Sequence, residues 1–273
     1  MALTRADSAL HTTGRFIAQL WNDDVVGQAA RMAYFFFLSL FPALLFVFAL
    51  TGLIGGENAF NTVAGVLAAL MPKSAWAAIS GYIRQAITHS RPNVLSLGLI
   101  LLLWSGSSGV ATLSTSLNQM FGTIDERNWF VRRGIAIAVM GVGALLLVAA
   151  TTAMLAGFAE ANQHGLAVRW AAVRWGIALI GSIGANWVCY VFLPNRPPSW
   201  RKLENLVGAA VATLLWAAAT LVLRSYLSRT EQIANTYGAL GAAIVLLLWF
   251  YITAMSVLIG GELAAWLGGG MRR

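Results

Sequence analysis

The positions of the charged residues constrain this chain more than any other feature of its sequence. Its 273 residues include 18 Lys or Arg and 10 Asp or Glu, and six long stretches between them carry no charge. A helix needs about 20 mostly apolar residues to cross the hydrocarbon core of a bilayer. The spacing therefore predicts an all-α integral membrane protein that forms one membrane domain over residues 1–273. Its six transmembrane helices are expected at about 32–54, 94–115, 134–157, 173–193, 206–224 and 239–262.

The overall composition excludes a soluble enzyme of ordinary make-up. Hydrophobic residues account for 59% of the chain and charged residues for 10%, against roughly 45–50% and about 25% in soluble domains. The net charge of +8 is compatible with nucleic-acid binding, but basic residues scattered among membrane spans more often orient the helices and contact anionic headgroups. We therefore expect membrane lipids as partners and no nucleic acid.

The distribution of Lys and Arg between the loops predicts the orientation, because positively charged loops resist translocation. Eleven of the 18 lie in the N-terminal segment, in the loops after the second and fourth spans and in the C-terminal segment, and seven lie on the other side. Both termini are therefore expected to be cytoplasmic. Residues 1–31 lack the apolar core of a cleavable signal peptide, so the first span would serve as the targeting signal.

Two short amphipathic segments flank the first span. Phe16, Ile17, Leu20 and Trp21 form a small apolar face ahead of it, and apolar residues recur at helical spacing over Trp76–Ile87 after it. Both segments predict short helices lying on the membrane interface, the first cytoplasmic and the second outside. The alternative for each helix is packing against the protein's own loops.

Polar residues are few near the bilayer midplane, where a polar group without a partner is costly. Pro42 removes a helix hydrogen bond and should kink the first span. The small residues of Ser105–Gly109 either permit close helix packing or let the second span unwind toward a cavity. Two interpretations stay open, convergence on one polar site or ordinary packing. The candidate site residues from these spans are Ser39, Pro42, Ser105, Ser107, Ser108 and Asn186.

Four tryptophans lie near the midplane instead of in the interfacial belts where Trp is usually enriched. They are Trp104, Trp187, Trp216 and Trp249. They either fill a core or line a large apolar cavity. A cavity with aromatic walls and few charges suits an acyl chain or another amphipathic ligand better than an inorganic ion.

Glu262 is the acid near the end of the otherwise uncharged sixth span. We expect it at the cytoplasmic boundary, where a carboxylate can be hydrated or can pair with Arg31, Arg132 or Arg133. The alternative to such a structural ion pair is proton coupling, since carboxylates inside membranes serve as proton relays in pumps and transporters.

Signals of enzyme chemistry are absent from the sequence. The three histidines have no second histidine or cysteine at ligand spacing, and Cys189 is the single cysteine, so no metal site and no intrachain disulfide are predicted. Nucleotide-binding fingerprints and nucleophile elbows are also missing. We therefore predict no catalysis and no cofactor.

Several stretches resemble one protein family when they are taken together. Their sequences are AYFFFLSLFPAL over 33–44, LWSGSSG over 103–109, FLPN over 192–195, TYGALG over 236–241 and GGEL over 260–263. In this order they resemble the YihY/BrkB family of bacterial inner-membrane proteins, from about Asp24 to Ala265. The resemblance implies six spans and a location in the bacterial inner membrane. The positions that match the family pattern are Tyr34, Ser39, Pro42, Trp104, Ser107, Gly109, Asn118, Pro194, Asn195, Thr236, Tyr237, Gly238, Gly241 and Glu262.

The resemblance also implies a function, because some members of that family are linked to envelope lipids and to a virulence locus. We expect a transporter or flippase for an amphipathic, lipid-like substrate, and Asn118, Tyr237 and Glu262 join the candidate substrate residues. The alternative is a membrane scaffold, a homo-oligomer or a partner of another envelope protein, that binds through Trp76–Ile87 or Gly52–Gly56. An older family label, ribonuclease BN, is not expected to apply, since the cytoplasmic loops offer few acids for RNA hydrolysis.

Overall fold

The structure is a computed structural model that describes residues 14–43, 92–143, 145–146, 167–196, 203–228 and 231–269. Within these residues the chain is helical and contains no strand, which confirms the all-α prediction. The helices are α1 (14–22), α2 (Val25–Ala43), α3 (Pro92–Met120), α4 (129–143), α5 (Ala167–Phe192), α6 (Leu203–Ser228) and α7 (Glu231–Leu267).

Four of these helices are long and apolar enough to cross a membrane, over Val25–Ala43, Ser96–Met120, Leu203–Tyr226 and Ala243–Leu267. A shorter apolar stretch follows Gly176 in α5. Large apolar side chains cover their outer surfaces, as at Ile100, Leu214 and Val222, which are each at least 60% exposed. Such surfaces are stable in lipid and costly in water. Residues 44–54, Trp76–Ile87 and 147–157, which complete the other predicted segments, lie outside the described residues.

Two charged residues, Arg31 and Glu262, lie inside helices, whereas the charge spacing treats each charge as the end of a span. α2 begins at Val25, because Asp24 caps it from the left-handed region (φ 49°) and accepts a hydrogen bond from the Gly27 N–H at 3.2 Å. α7 continues past Glu262 to Leu267. Arg31 and Glu262 thus both lie inside continuous helices.

The chain divides into two compact units. The first contains the described residues of Met1–Ala30, Val110–Ala218 and Thr253–Arg273, and the second contains those of Arg31–Gly109 and Ala219–Ile252. In the second unit the rings of Phe36 and Phe250 lie 6.2 Å apart. Phe36 also lies so close to Gly109 that a Cβ there would come within 2.6 Å of its ring.

A close helix crossing organises the first unit. Gly208 of α6 and Gly260 of α7 contact each other through their backbones, and a Cβ on Gly260 would lie 2.5 Å from the Gly208 carbonyl oxygen and 2.6 Å from the Ala212 Cβ. Small residues allow this approach, as at many helix crossings in membranes. The crossing fixes the depth and rotation of the last turns of α7.

Candidate functional site

Two buried acids lie together in the first unit, and we call them the acid pair. Glu262 on α7 has no exposed surface, and Asp23, in the turn between α1 and α2, is 8% exposed. The Asp23 carboxyl lies near enough to that of Glu262 for the two groups to affect each other electrostatically. The Gln119 side chain of α3 donates a hydrogen bond from Nε2 to Asp23 Oδ1 at 3.2 Å.

The glycines before Glu262 explain why its side chain is buried. A Cβ at Gly261 would lie 2.6 Å from the Leu117 side chain and 3.4 Å from the Tyr190 ring, so α7 approaches α3 and α5 closely at this turn. The side chain that follows is enclosed by protein on several sides. A Gly-Gly-Glu sequence on a helix thus places a carboxyl group inside the protein.

The expected ion pair of Glu262 with Arg31, Arg132 or Arg133, or its hydration at the boundary, is wrong for the described residues. Neither Glu262 oxygen has a hydrogen-bond partner among them, and the side chain has no exposed surface. Arg132 instead lies 4.0 Å from Asp125. The close packing of α7 against α3 and α5 separates the acid from the basic loop.

A row of polar side chains continues along the helices of the first unit, and we call it the polar seam. Ser182, Asn186 and Tyr190 share one face of α5, because residues four apart are neighbours on a helix. Asn186 Nδ2 donates to Thr213 Oγ1 at 3.2 Å, and this hydroxyl lies 3.4 Å from Ser182 Oγ. Further members are Trp216, which donates to Thr253 Oγ1 at 3.2 Å, and Tyr190, whose hydroxyl donates to the Val257 carbonyl at 2.5 Å.

A second polar cluster joins the loops that follow α3 and α5, and we call it the loop network. Asn118 donates from Nδ2 to Asp125 Oδ2 at 3.2 Å, while its Oδ1 accepts from Thr123 at 2.9 Å and from the Asn195 N–H at 2.6 Å. Arg127 donates to Asn195 Oδ1 and to the carbonyls of Leu193 and Pro194, each at 3.1 Å. Each side-chain polar atom of Asn118 has a partner.

Arg196 extends the loop network toward α6. Its guanidinium donates to the Tyr190 carbonyl at 2.7 Å and to Asn205 Oδ1 at 3.2 Å, and it lies over the Phe121 ring at 3.3 Å from the centroid. Burial lowers the pKa of Arg196 to about 10, and the nearby Glu204 charge opposes this shift. Arg196 therefore stays charged at neutral pH while serving as a structural donor.

The hydroxyls predicted in the second unit bond to their own helices. Ser39 donates to the Phe36 carbonyl at 2.8 Å. In α3 the hydroxyls of Ser105, Ser107 and Ser108 donate to carbonyls three or four residues earlier, and the helix remains continuous. Of the two interpretations, unwinding of this segment is not observed.

The remaining candidate residues fall in different places. Trp104 is 60% exposed, whereas Trp249 is partly buried and lies 5.3 Å from Phe250 between ring centroids. Pro42 lies one residue before the end of α2, and Tyr237 lies within α7. The first unit thus holds Asn118, Asn186, Trp216 and Glu262, and the second holds the other predicted site residues.

Sequence reasoning did not single out Asp23, Gln119, Arg127, Tyr190 and Thr213 as site residues. Asp23 and Gln119 are 96 positions apart, and only the folded chain brings them together. Two adjacent acids, Asp23 and Asp24, beside an apolar segment were the available signal for the first. Among the described residues, no group of three or more His, Cys, Asp or Glu could hold a metal ion.

Comparisons with known proteins identify the family of this chain. The chain matches the family model described as Virulence factor BrkB over residues 16–270. It is 32% identical to the "Putative ribonuclease-like protein YfkH" of Bacillus subtilis, an alignment that covers 88% of this chain and 89% of that protein. It is also similar to UPF0761 membrane proteins of Tolumonas auensis (23% identity; 93% of this chain, 84% of that one) and Pseudoalteromonas atlantica (25%; 91% and 83%).

No solved structure matches the chain. The family model covers the loop network, the polar seam and the acid pair. The resemblance seen in the sequence motifs is confirmed, and the chain belongs to the BrkB family of membrane proteins.

Proposed function

We propose that this membrane protein is a transporter or flippase for an amphipathic, lipid-like substrate. The observation that carries the proposal is the polar seam, a row of hydroxyl and amide groups through otherwise apolar helices. Such groups can replace part of the hydration of a lipid headgroup, while the acyl chains remain in the bilayer. Few charges lie along the seam, which favours an amphipathic substrate over a free ion.

The position of the acid pair supports transport over a purely structural role. A buried ionisable group inside a membrane protein is costly, and such groups generally mark substrate pathways or proton relays. A scaffold that only holds a partner has no use for a carboxylate without donors. The seam and the acid pair lie in one compact unit, so a single moving element can involve both.

We further propose a location in the bacterial inner membrane with both termini cytoplasmic. The ring centroids of Phe16 in α1 and Trp266 in the last turn of α7 lie 6.1 Å apart. This contact supports an arrangement in which α1 and the end of α7 lie on the same side of the membrane. The basic residues Arg127 and Arg196 lie near this end of the first unit, in agreement with the positive-inside rule. Membrane lipids are the partners that this placement favours, with a homo-oligomer or an envelope protein as a further partner to be tested.

The ribonuclease name of one relative is not extended to this chain. Acid–base cleavage of RNA requires groups that reach the substrate. Asp23 and Glu262 are buried, and Asp125 is occupied by Asn118 and by the backbone N–H of Arg127. Incubation of the purified protein with tRNA precursors, with and without divalent metal, should give no cleavage above that of a mock preparation.

Reconstitution in liposomes tests the transport proposal. Fluorescent lipids with several different headgroups are placed in both leaflets, and the fraction accessible to a membrane-impermeant quencher is followed over time. We expect faster transbilayer movement than in protein-free vesicles for at least one headgroup, and slower movement with Asn186→Leu. Thr115→Val is the matched control, since the exposed Thr115 hydroxyl bonds only to its own helix. Movement equal to that of empty vesicles for all headgroups would contradict the proposal.

A further inference from the structure

The acid pair contains more acceptor atoms than donors. Both oxygens of Glu262 lack a partner among the described residues, and the Gln119 side chain donates to Asp23. An ionised carboxylate is an acceptor only, so two ionised carboxylates cannot hydrogen-bond to each other. The arrangement lacks one donor, which a single proton would provide.

The electrostatics of the acid pair also indicate one bound proton. Two ionised carboxylates at close range repel each other, and removal of either from water is costly without a cation or donors. Neither Glu262 oxygen is hydrogen-bonded to a described basic side chain. One proton removes the repulsion, removes one buried charge and creates the absent donor.

The other groups that face the pair supply no alternative donor for Glu262. From α3 the facing polar group is the Gln119 amide, which donates to Asp23. From α5 it is Tyr190, which contacts Gly261 and whose hydroxyl donates to the Val257 carbonyl. From the turn before α2 it is Asp23 itself. Glu262 is thus the acid left with both oxygens unpartnered.

We propose that Asp23 and Glu262 form a proton-binding site in which one proton bridges the two carboxyl groups. Glu262 carries the O–H and donates it to an Asp23 oxygen, while Gln119 donates to Asp23 Oδ1. Binding converts Glu262 from carboxylate to carboxylic acid, and release returns the proton to water with no other bond changed. Exchange of this proton drives substrate movement, a step that rests on the proposed transport function.

Infrared spectroscopy of the full-length protein in a detergent without ester groups tests the site without any transport assay. A protonated carboxyl group has a C=O stretching band that carboxylates and amides lack. We expect this band in the wild type at neutral pH, its loss at high pH, and its absence from Glu262→Gln. The exposed acid Glu126 provides the control variant Glu126→Gln, which should retain the band. Identical neutral-pH spectra for the wild type and Glu262→Gln would overturn the proposal.

A second variant, Asp23→Asn, tests the site even if Glu262→Gln does not fold. Asp23→Asn replaces the other acid with an amide that can donate to Glu262, so it should fold but show altered proton binding. We expect its carboxyl band to shift or titrate at a different pH from the wild-type band. An unchanged band in a folded Asp23→Asn protein would exclude a shared proton. A sodium-dependent rise in the wild-type Tm at fixed pH, absent from Glu262→Gln, would indicate a cation site and would also overturn the proposal.

Liposomes with an imposed pH gradient test the coupling step. The wild-type rate of lipid movement should change when the gradient is reversed, and the Glu262→Gln rate should not. A wild type that moves no lipid under either gradient but retains the carboxyl band would refute the transport function and leave the proton site intact. A wild-type rate of lipid movement that is the same under both gradients would refute only the coupling of proton exchange to lipid movement.

Discussion

The loop network and the acid pair start from adjacent residues of α3, Asn118 and Gln119, but their polar atoms are partnered very differently. Both side-chain polar atoms of Asn118 are hydrogen-bonded, and the Nε, Nη1 and Nη2 atoms of Arg127 each donate to Asn195 or to a backbone carbonyl. One residue further along the chain, Gln119 donates to a pair of acids in which Glu262 has no partner among the described residues.

This difference separates a structural role from a functional one. A fully satisfied buried polar network rigidifies a structure, whereas an unsatisfied buried group is costly and persists only where it has another use. The loop network therefore ties the ends of α3 and α5 together. In the proposed proton site, the acid pair changes its protonation state because no described hydrogen bond to Glu262 fixes one state.

Arg127→Ala disrupts the hydrogen-bonded loop network and should lower the free energy of unfolding more than any other variant proposed here. The change removes the Arg127 donor from Asn195 Oδ1 and from the Leu193 and Pro194 carbonyls, which retain the Ser114 hydroxyl and the Arg196 N–H. Hydrogen bonds from charged groups contribute about 1.5–3 kcal/mol each without being additive. We expect a loss of unfolding free energy of about 3 kcal/mol in total, measured by thermal unfolding in detergent. Arg127→Lys should recover only part of it because Lys lacks the planar fork.

The exposed neighbour Glu126 supplies the control for this prediction. Glu126→Gln should leave the Tm close to that of the wild type, since exposed substitutions usually change stability by less than about 0.5 kcal/mol. If Arg127→Ala unfolds at the wild-type temperature, the loop network is not a structural tie, and its contrast with the acid pair disappears.

Gly260→Ala tests the crossing that positions the acid pair. The added Cβ meets the Gly208 carbonyl oxygen and the Ala212 Cβ, and neither backbone can move aside easily. Overpacking of this kind costs about 1–3 kcal/mol. The variant should be less stable and should lose the pH response of the acid pair, while the loop network remains intact.

Gly176→Ala is the matched control, because nothing lies within 4 Å of a Cβ at Gly176. Ala favours a helix over Gly by up to about 1 kcal/mol, so this variant should be as stable as the wild type or slightly more so. Equal losses of Tm in both glycine variants would indicate a general effect of Gly replacement and not a specific helix crossing.

The sequence predicts the helices of this protein better than its polar contacts. The charge-free stretches locate α3, α5, α6 and α7 because the bilayer requires a fixed length of apolar helix. The same reasoning fails at Glu262, since it treats each charge as the end of a span. Charge spacing also cannot predict contacts such as Asp23 with Gln119 or Arg127 with Asn195, which join residues 96 and 68 positions apart.

Glu262→Gln tests the acid pair through the pH dependence of the free energy of unfolding. If the folded protein binds one proton more than the unfolded chain, stability falls as pH rises, because the slope follows the protons bound in the unfolded state minus those in the folded state. One proton corresponds to about 1.4 kcal/mol per pH unit. Unfolding followed from mildly acidic pH upward should show this decline in the wild type until the folded protein releases the proton, and a flatter curve in Glu262→Gln. Parallel curves would count against a bound proton.

The polar seam is intermediate between the fully hydrogen-bonded loop network and the acid pair. Loss of its hydrogen bonds should change the free energy of unfolding least. Thr213→Val removes the acceptor of the Asn186 amide, and hydrogen bonds between membrane helices average about 0.6 kcal/mol in double-mutant cycles. A cycle of Thr213→Val with Asn186→Leu, measured by unfolding in detergent, should therefore give a coupling near this value. A coupling above about 2 kcal/mol would make the seam a structural tie like the loop network. A weak coupling would let Asn186 and Thr213 replace their mutual hydrogen bond with bonds to a lipid headgroup, as the proposed transport function requires.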